Sequence, residues 1–248
     1  QSQRWWHIQL HMGQGTSDVS AAAEVDDFPA SQDVSTGAGK FDGYRGGNAQ
    51  GRAPRLASVE GIGGSTSSTN RGSSKDEAAQ ENAQGVKLLN NGQYDEAIWR
   101  FKQALALEPT SVQILDNIGL VYAKRGDYAS AHEWYDRAHK QDPRDVETLF
   151  SLAWVERKRQ RYQQARDLFQ QVLEIEPGHS KASWLLGDVL KTSQDFTGAI
   201  QQFDAVIRSQ PTSFDGHLSL AQCFEATKQY SKSVQVYKHM LEKLCPGR

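Results

Sequence analysis

Residues 112–145 read VQILDNIGLVYAKRGDYASAHEWYDRAHKQDPRD, and this stretch decides the fold. Its first half carries apolar and small residues at the i, i+3, i+4, i+7 spacing of a helix face, namely Leu115, Ile118, Gly119 and Tyr122. A polar break at 125–127 precedes a second apolar face, formed by Ala131, Tyr135 and Ala138. Pro143 cannot continue that helix, and Asp145 can cap the next one. The stretch therefore predicts two helices joined by a short turn.

The same pattern recurs along the chain with a period of 34 residues. Proline keeps that interval at Pro109, Pro143, Pro177 and Pro211. Alanine does so at Ala97, Ala131, Ala165 and Ala199, and one aromatic column does so at Phe101, Tyr135, Phe169 and Phe203. A second aromatic column runs Tyr94, Tyr128, Tyr162, Phe196 and Tyr230, and a small-residue column runs Gly85, Gly119, Ala153, Gly187 and Ala221. Five columns in one register predict five copies of one helix pair, with the small residues where the paired helices approach most closely.

Composition divides the chain into two unlike parts. Residues 1–77 hold 12 Gly and 11 Ser but only two leucines. Such a segment buries too little apolar surface to offset its chain entropy, so we predict a flexible, largely disordered arm over 1–73. Three islands stand out in the arm: the apolar segment 5–12 with Trp5 and Trp6, the acidic segment 24–29 with Phe28, and the mixed segment 39–45. Trp5, Trp6 and Phe28 are candidate docking residues.

The repeat pattern resembles the tetratricopeptide repeat family, whose units have small residues at positions 8, 20 and 27, aromatics near 11, 17 and 24, and proline at 32. The units are 78–111, 112–145, 146–179, 180–213 and 214–247. Six substitutions depart from the motif. Glu156 takes an aromatic position of the third unit, Val172, Val206 and Met240 stand at position 27, Ser233 stands in the alanine column, and Cys245 replaces proline, with Pro246 one place late. The segment 74–77 matches a capping box and predicts the start of the array, which we place at 74–248.

The resemblance implies an all-α fold, a right-handed α-solenoid whose concave groove is lined by the first helix of each unit. It also implies a non-enzymatic scaffold or adaptor that binds a protein partner as a peptide or helix. Fold alone does not assign function, so the groove positions have to be examined.

In the family, positions 2, 5, 9, 12 and 13 of each unit face the groove. The resemblance therefore implies an aromatic patch at Phe150, Trp154 and Trp184, beside Leu120 and a basic row of Lys124, Arg157, Lys158 and Lys191. Asp116 and Asp188 would reject ligands of like charge. Large aromatics beside cations are typical of interface hot spots and suit a ligand with apolar side chains and carboxylates. Two alternatives stay open: the tryptophans could pack on each other between adjacent first helices, and the basic run 157–161 could be a solvated helix end.

The sequence gives little support for cofactor, metal or nucleic-acid binding. The glycine-rich arm lacks a complete phosphate-binding motif, and the seven histidines show no metal-ligand spacing, so we predict no cofactor, no metal and no small-molecule substrate. Cys223 is predicted to be a small core residue. The formal net charge of −2 argues against nucleic acid, although an RNA-associated organellar factor is the alternative function. The lack of an Asn-x-Ser/Thr sequon favours an intracellular or organellar protein over a secreted one.

The end of the array carries a further expectation. The last helix, around Val234, Tyr237 and Leu241, would leave an apolar side open directly after the fifth unit. Terminal repeats need a polar cap for solubility, so either the protein continues or a partner covers that face. Both cases fit a subunit of a multiprotein complex.

Overall fold

The computed structural model describes residues 70–244. Within this part of the chain all regular structure is helical, with ten α-helices in consecutive packed pairs and no strand. The helices are α1 Asn70–Asn90, α2 Tyr94–Leu107, α3 Val112–Lys124, α4 Tyr128–Gln141, α5 Val146–Lys158, α6 Tyr162–Ile175, α7 Ser180–Thr192, α8 Phe196–Ser209, α9 Phe214–Ala226 and α10 Tyr230–His239. A single π-helical turn, Met240–Leu244, follows α10. The predicted all-α array of five helix pairs is confirmed.

The two helices of each pair are held together by a small residue of the first helix and an aromatic ring of the second. A Cβ atom added at Gly119 would lie 2.9 Å from Cε1 of Tyr135, and one at Gly187 would lie 2.8 Å from Cε1 of Phe203. Both rings are buried. The aromatic column therefore packs directly on the backbone of the small-residue column, as the sequence predicts.

A sharp turn separates the two helices of every unit. The residue at position 15 has a positive φ in all five units, at Gly92, Gly126, Gln160, Gln194 and Lys228. In the second unit the amide of Asp127 donates to the carbonyl of Tyr122 at 3.0 Å, the 6→1 bond of a Schellman motif. Glutamine and lysine accept the left-handed conformation at a cost of about 1 kcal/mol each. The turn geometry is thus set by stacking and capping, and it recurs even where glycine is absent.

Caps also mark the starts of several helices. The Oδ2 atom of Asp145 accepts a hydrogen bond from the backbone N–H of Thr148 at 2.8 Å, so the predicted cap of α5 is confirmed. The predicted capping box at 74–77 is wrong as a helix start, because α1 begins at Asn70 and Ser74 lies inside the helix.

Successive pairs stack so that each first helix touches the first helix of the next unit. No second helix in the described residues makes a comparable contact with the second helix of the next unit. Since the inner side of a curved stack is the compressed side, the first helices line the concave face. Each unit buries its apolar side on its neighbour, and Cys223 lies fully buried in this core, as predicted.

The two ends of the described array differ in polarity. Positions 3, 7 and 10 of α3 are the buried Ile114, Ile118 and Val121, which pack on the first unit. The corresponding residues of α1 are Gln80, Gln84 and Lys87, so the outer face of the first unit is polar, as in a capping repeat. On α10, Tyr230 and Val234 are 61% and 44% exposed. The prediction of an open apolar side on α10 is therefore confirmed for Val234 and wrong for Tyr237, which is 1% exposed and packs in the core; Leu241 is partly buried.

None of the described helices is both long enough and apolar enough to cross a lipid bilayer.

The close contact at Gly119 yields a direct stability prediction. Gly119→Ala should lower the free energy of unfolding by about 1–3 kcal/mol, because the new methyl group meets a buried tyrosine ring that cannot move aside. This loss is expected although alanine is the better helix former by about 1 kcal/mol. The matched control is Gly178→Ala, where the Cβ meets nothing within 4 Å, and it should change stability by less than about 0.5 kcal/mol. Equal urea midpoints for the two variants would show that Gly119 is not the contact point.

Candidate functional site

The candidate groove residues lie on the first helices, but their exposure differs widely. Lys124 is exposed, and seven others are partly buried: Asp116, Leu120, Arg157, Lys158, Trp184, Asp188 and Lys191. Phe150 and Trp154 are buried. The concave face therefore presents a different set of side chains from the predicted aromatic patch.

Phe150 is not available to a ligand, and its placement on the groove surface is wrong. The side chain is completely buried, and its ring meets the ring of Phe169 edge-on with centroids 5.7 Å apart. The imidazole of His179 stacks on it at 4.9 Å. Because His179 also caps α7, accepting from the amide of Ala182 at 3.1 Å, the ring is locked over Phe150. Phe150 is thus a core residue between the third and fourth units.

Trp154 is likewise a core residue rather than a groove contact, since only 5% of it is exposed. Its ring packs edge-on against Tyr128 of the preceding unit, with centroids 5.7 Å apart. The register of the stack explains this burial, because the residue opposite Trp154 on α3 is the small Ala123, which belongs to the same core cluster. The indole fills the space that a larger residue at position 12 would occupy. The sequence left open that Trp154 and Trp184 pack on each other between adjacent first helices. Trp154 is indeed buried between units, and the ring that it meets edge-on is Tyr128, on the second helix of the preceding unit.

The charged residues of the groove form pairs between adjacent first helices. Arg157 donates from Nε to Oδ2 of Asp188 at 3.0 Å, and its Nη2 donates to the same oxygen. Lys191 lies 3.8 Å from the other oxygen of Asp188 and donates to Gln222 of the fifth unit at 3.3 Å. Lys158 lies over the Trp154 ring at 5.2 Å. The predicted charge readers therefore also hold neighbouring units in register.

Two further polar contacts continue this row toward the first unit. The side-chain amide of Asn117 donates to Oδ1 of Asn82 at 2.8 Å, and both residues are buried. The hydroxyl of Thr148 donates to Oδ2 of Asp116, also at 2.8 Å. Paired polar side chains thus bridge each of the four junctions between first helices, in line with the rule that buried polar groups find partners.

Asp116 is the residue whose ionisation the groove changes most. Burial raises its pKa from 3.8 to about 7, the hydrogen bond from Thr148 opposes this shift, and the nearby charges of Asp145 and Glu147 add to it. Its Oδ1 atom is buried and has no hydrogen-bond partner among the described residues. Burial also raises the pKa of Glu147. Close to neutral pH, Asp116 is therefore only partly charged and rejects anions less strongly than an ordinary aspartate.

Glu156, which replaces an aromatic residue of the motif, is buried and surrounded by cations. Arg159 donates to Oε1 at 2.7 Å, Nε2 of His132 lies 3.2 Å from the same oxygen, and Nη1 of Arg161 lies 3.7 Å from Oε2. Within the basic run at 157–161, Arg157 thus joins the third and fourth units through Asp188, while Arg159 and Arg161 pair with Glu156 inside the third unit. The run is a structural cluster more than a solvated helix end.

Charge is unevenly distributed across the concave face. Asp116 and Glu147 lie toward the N-terminal ends of the first helices. The C-terminal ends of α3, α5 and α7 carry Lys124, Arg157, Lys158 and Lys191. The acidic residues there are Asp188 and the buried Glu156, and α9 has Glu225 at the position that corresponds to Arg157. We call these four cations the basic edge of the groove, and with Asp188 they sum to a formal charge of +3. Half-buried Trp184 lies on α7 two helical turns before Lys191, toward the N-terminal end of the helix.

The remaining candidates lie elsewhere. Trp5, Trp6 and Phe28 are outside the described residues. In residues 70–244 no group of three His, Cys, Asp or Glu side chains is arranged to hold a metal ion. Sequence analysis missed Trp99 on α2, which is 48% exposed and has Arg100 over its ring at 4.8 Å. Its position outside the repeat columns was the signal that could have found it.

The burial of Trp154 predicts a large loss of stability on truncation. Trp154→Ala should lower the free energy of unfolding by about 3–5 kcal/mol, since it leaves a cavity between the second and third units. Trp99→Ala, on the exposed outer face, removes the same side chain and should cost less than about 1 kcal/mol. Urea denaturation followed by circular dichroism measures both. A loss of stability at Trp154 as small as that at Trp99 would contradict the burial of Trp154.

The raised pKa of Asp116 predicts that its replacement by neutral asparagine stabilises the fold in a pH-dependent way. Unfolding lets Asp116 ionise with its ordinary pKa, so the residue destabilises the fold increasingly as the pH rises from about 4 to about 7, by up to about 4 kcal/mol. Asp116→Asn should therefore raise stability at pH 7–8 and leave it nearly unchanged at pH 4. The control Asp204→Asn, at an exposed position on α8, should show no such trend. A pH-independent difference for Asp116→Asn would contradict the assigned pKa.

Comparison with known proteins agrees with the repeat architecture. Models of the tetratricopeptide repeat match residues 111–177, 150–213 and 185–248, and a further TPR repeat model matches 87–126. No curated protein matches the chain. Among solved structures, the crystal structure of MamA protein is similar with a TM-score of 0.64 and 23% identity, over 68% of this chain and 92% of that one. The structure of MamA from Desulfovibrio magneticus RS-1, residue 41 to the end, has a TM-score of 0.64 and 20% identity over 67% of this chain and 94% of that one.

At these identities the MamA structures show the fold alone. The family models together span 87–248, which is the part of the chain that carries the 34-residue columns. The chain belongs to the tetratricopeptide repeat family.

Proposed function

We propose that the array is a non-enzymatic adaptor that binds a protein partner along its concave face, as a subunit of a larger assembly. A protein-interaction scaffold is the role that the fold itself supports. The observation that carries the finer proposal is the row of half-buried apolar and charged side chains on the first helices, which join neighbouring units and also keep part of their surface exposed on the concave face.

The apolar part of this row is Leu120 and Trp184, which keep part of their surface exposed. Nε1 of Trp184 is buried and has no hydrogen-bond partner among the described residues. A large aromatic side chain that is partly desolvated in the free protein costs little to bury further, which suits a hot spot. We therefore place the apolar anchor of the partner against Trp184.

The charged part of the row is the basic edge. Its net charge favours a partner that carries carboxylates beside its apolar residues, and the partial neutrality of Asp116 lowers the repulsion on the opposite side of the groove. The pairing of Arg157 and Lys191 with Asp188 keeps these cations in fixed positions, so less side-chain entropy is lost on binding.

Membership of a larger assembly is supported by apolar surface outside the groove. Trp99 on α2 and Tyr230 on α10 are 48% and 61% exposed and lie in different units. Tryptophan and tyrosine are enriched at protein–protein interfaces relative to the rest of the surface. They offer contacts to other subunits while the concave face holds the partner.

The experiment compares two double variants of the full chain as baits in affinity capture with mass spectrometry. Trp184→Ala with Lys191→Gln removes the proposed anchor and one cation, and should reduce recovery of the partner at least about 10-fold. Trp99→Ala with Lys102→Gln removes the same residue types from the outer face of α2. It should leave recovery of the groove partner unchanged and lower only the recovery of subunits that contact this outer face. Thermal melts establish that both variants are folded.

The opposite result, with loss only in the outer-face variant, would place the interface on the second helices. Recovery that disappears after ribonuclease treatment and falls steeply with salt would indicate RNA binding instead.

A further inference from the structure

An acidic segment of this chain, near its N-terminus, is complementary in charge to the basic edge. Residues 5–39 contain five carboxylates and no lysine or arginine. Three of these carboxylates lie together at Glu24, Asp26 and Asp27, directly before Phe28. This segment is outside the described residues, and its composition is that of an acidic peptide with one aromatic anchor.

The basic edge is the part of the concave face that such a peptide fits. Lys158 and Lys191 are partly buried on adjacent first helices, and Arg157 lies beside them on α5. Partly desolvated cations attract carboxylates more strongly than cations in bulk water do, because the local dielectric constant is lower. Trp184 lies on the same helix, seven residues or about 10 Å before Lys191, a distance that an extended segment of five residues can span.

Other parts of the concave face fit the acidic segment poorly. Asp116 and Glu147 at the N-terminal ends of the first helices would repel its carboxylates, more so as the pH rises and Asp116 ionises. On the neighbouring surface of α3, Arg125 is engaged with Asp95, 2.6 Å from its carboxylate. Lys181 on α7 offsets part of the charge of Glu147 on that side. Charge thus favours the basic edge, where the cations of α5 and α7 are most concentrated.

We propose that residues 24–28 dock on the basic edge of the same chain, with Phe28 against Trp184, and so compete with the protein partner. The inference rests on the proposed function, because it makes the arm a regulator of the same groove. Displacement of the segment by a partner that binds more tightly then opens the groove.

Covalent geometry permits the contact. Phe28 and Asn70 are 42 residues apart, and a chain of this length spans at most about 140 Å when fully extended. From α1 to α7 there are three steps between adjacent first helices, each about 10 Å. The tether therefore reaches the basic edge with ample slack. Such tethers give effective concentrations on the order of millimolar, so even a weak contact is substantially occupied.

The test uses a fluorescent synthetic peptide of residues 22–32 as the probe and full-length chains as receptors. Wild type should bind it weakly, since its own segment occupies the site. The arm variant Glu24→Lys, Asp26→Lys, Asp27→Lys should bind it at least about 10-fold more tightly, because the competing copy is lost. Anisotropy titrations at low and at physiological salt measure both, and binding should weaken with salt.

Groove variants made in the arm-variant background locate the site. Lys158→Glu with Lys191→Glu should reduce probe affinity at least about 10-fold, and the milder Lys158→Gln with Lys191→Gln serves if the first variant melts early. The matched control Lys102→Glu with Lys238→Glu makes the same charge change at exposed positions on the second helices and should leave affinity unchanged.

Three outcomes would overturn self-docking: equal affinity in wild type and arm variant, no binding to the arm variant, or binding that ignores the groove substitutions. The partner-capture experiment separates this failure from that of the proposed function. If the probe fails but Trp184→Ala with Lys191→Gln still loses the captured partner, only the self-docking is wrong. If the groove variants affect neither, the concave face is not the binding surface.

Discussion

The whole array depends on one contact, the packing of an aromatic ring from the second helix of a unit on the bare backbone of its first helix. At Gly119 and Gly187 there is no room for even a methyl group, and the buried rings of Tyr135 and Phe203 set the distance between the paired helices. Repetition of this contact makes the five units alike. Like units stack with one register, and that register decides which side chain of one first helix stands opposite which side chain of the next.

The register has direct consequences for the concave face. Position 12 of each unit stands opposite position 9 of the following one, so Arg157 meets Asp188 and Lys191 meets Gln222. At the junction before these, the same register pairs Ala123 with Trp154, and both are buried in one core cluster. Trp154, although tryptophan is typical of binding sites, is therefore buried in the core. Trp184, in another unit, keeps part of its surface exposed.

The polar residues of the groove combine structural and functional roles in the same way. Glu156 replaces an aromatic side chain without loss of the fold because His132, Arg159 and Arg161 surround its carboxylate. A buried ionic cluster of this kind adds little net stability, but removing one member would leave the others uncompensated. Asp116 differs from Glu156, because burial leaves its carboxyl group partly protonated near neutral pH. The concave face consequently has a fixed basic edge and an acidic side whose charge depends on pH.

The sequence by itself determined the family, the number of units, the pairing of helices and the position of the cap at Asp145. These features follow from residue columns that are local in the chain and repeat five times. It did not determine the start of α1 at Asn70, the left-handed turns at Gln160 and Lys228, or the burial of Phe150 and Trp154. Position in a motif identifies the face of a helix, but exposure depends on the volume of residues about 30 positions away, on the next helix of the stack. Only the tertiary structure brings Ala123 to Trp154 and His179 to Phe150, and these contacts decide which aromatic side chains of the groove remain accessible to a partner.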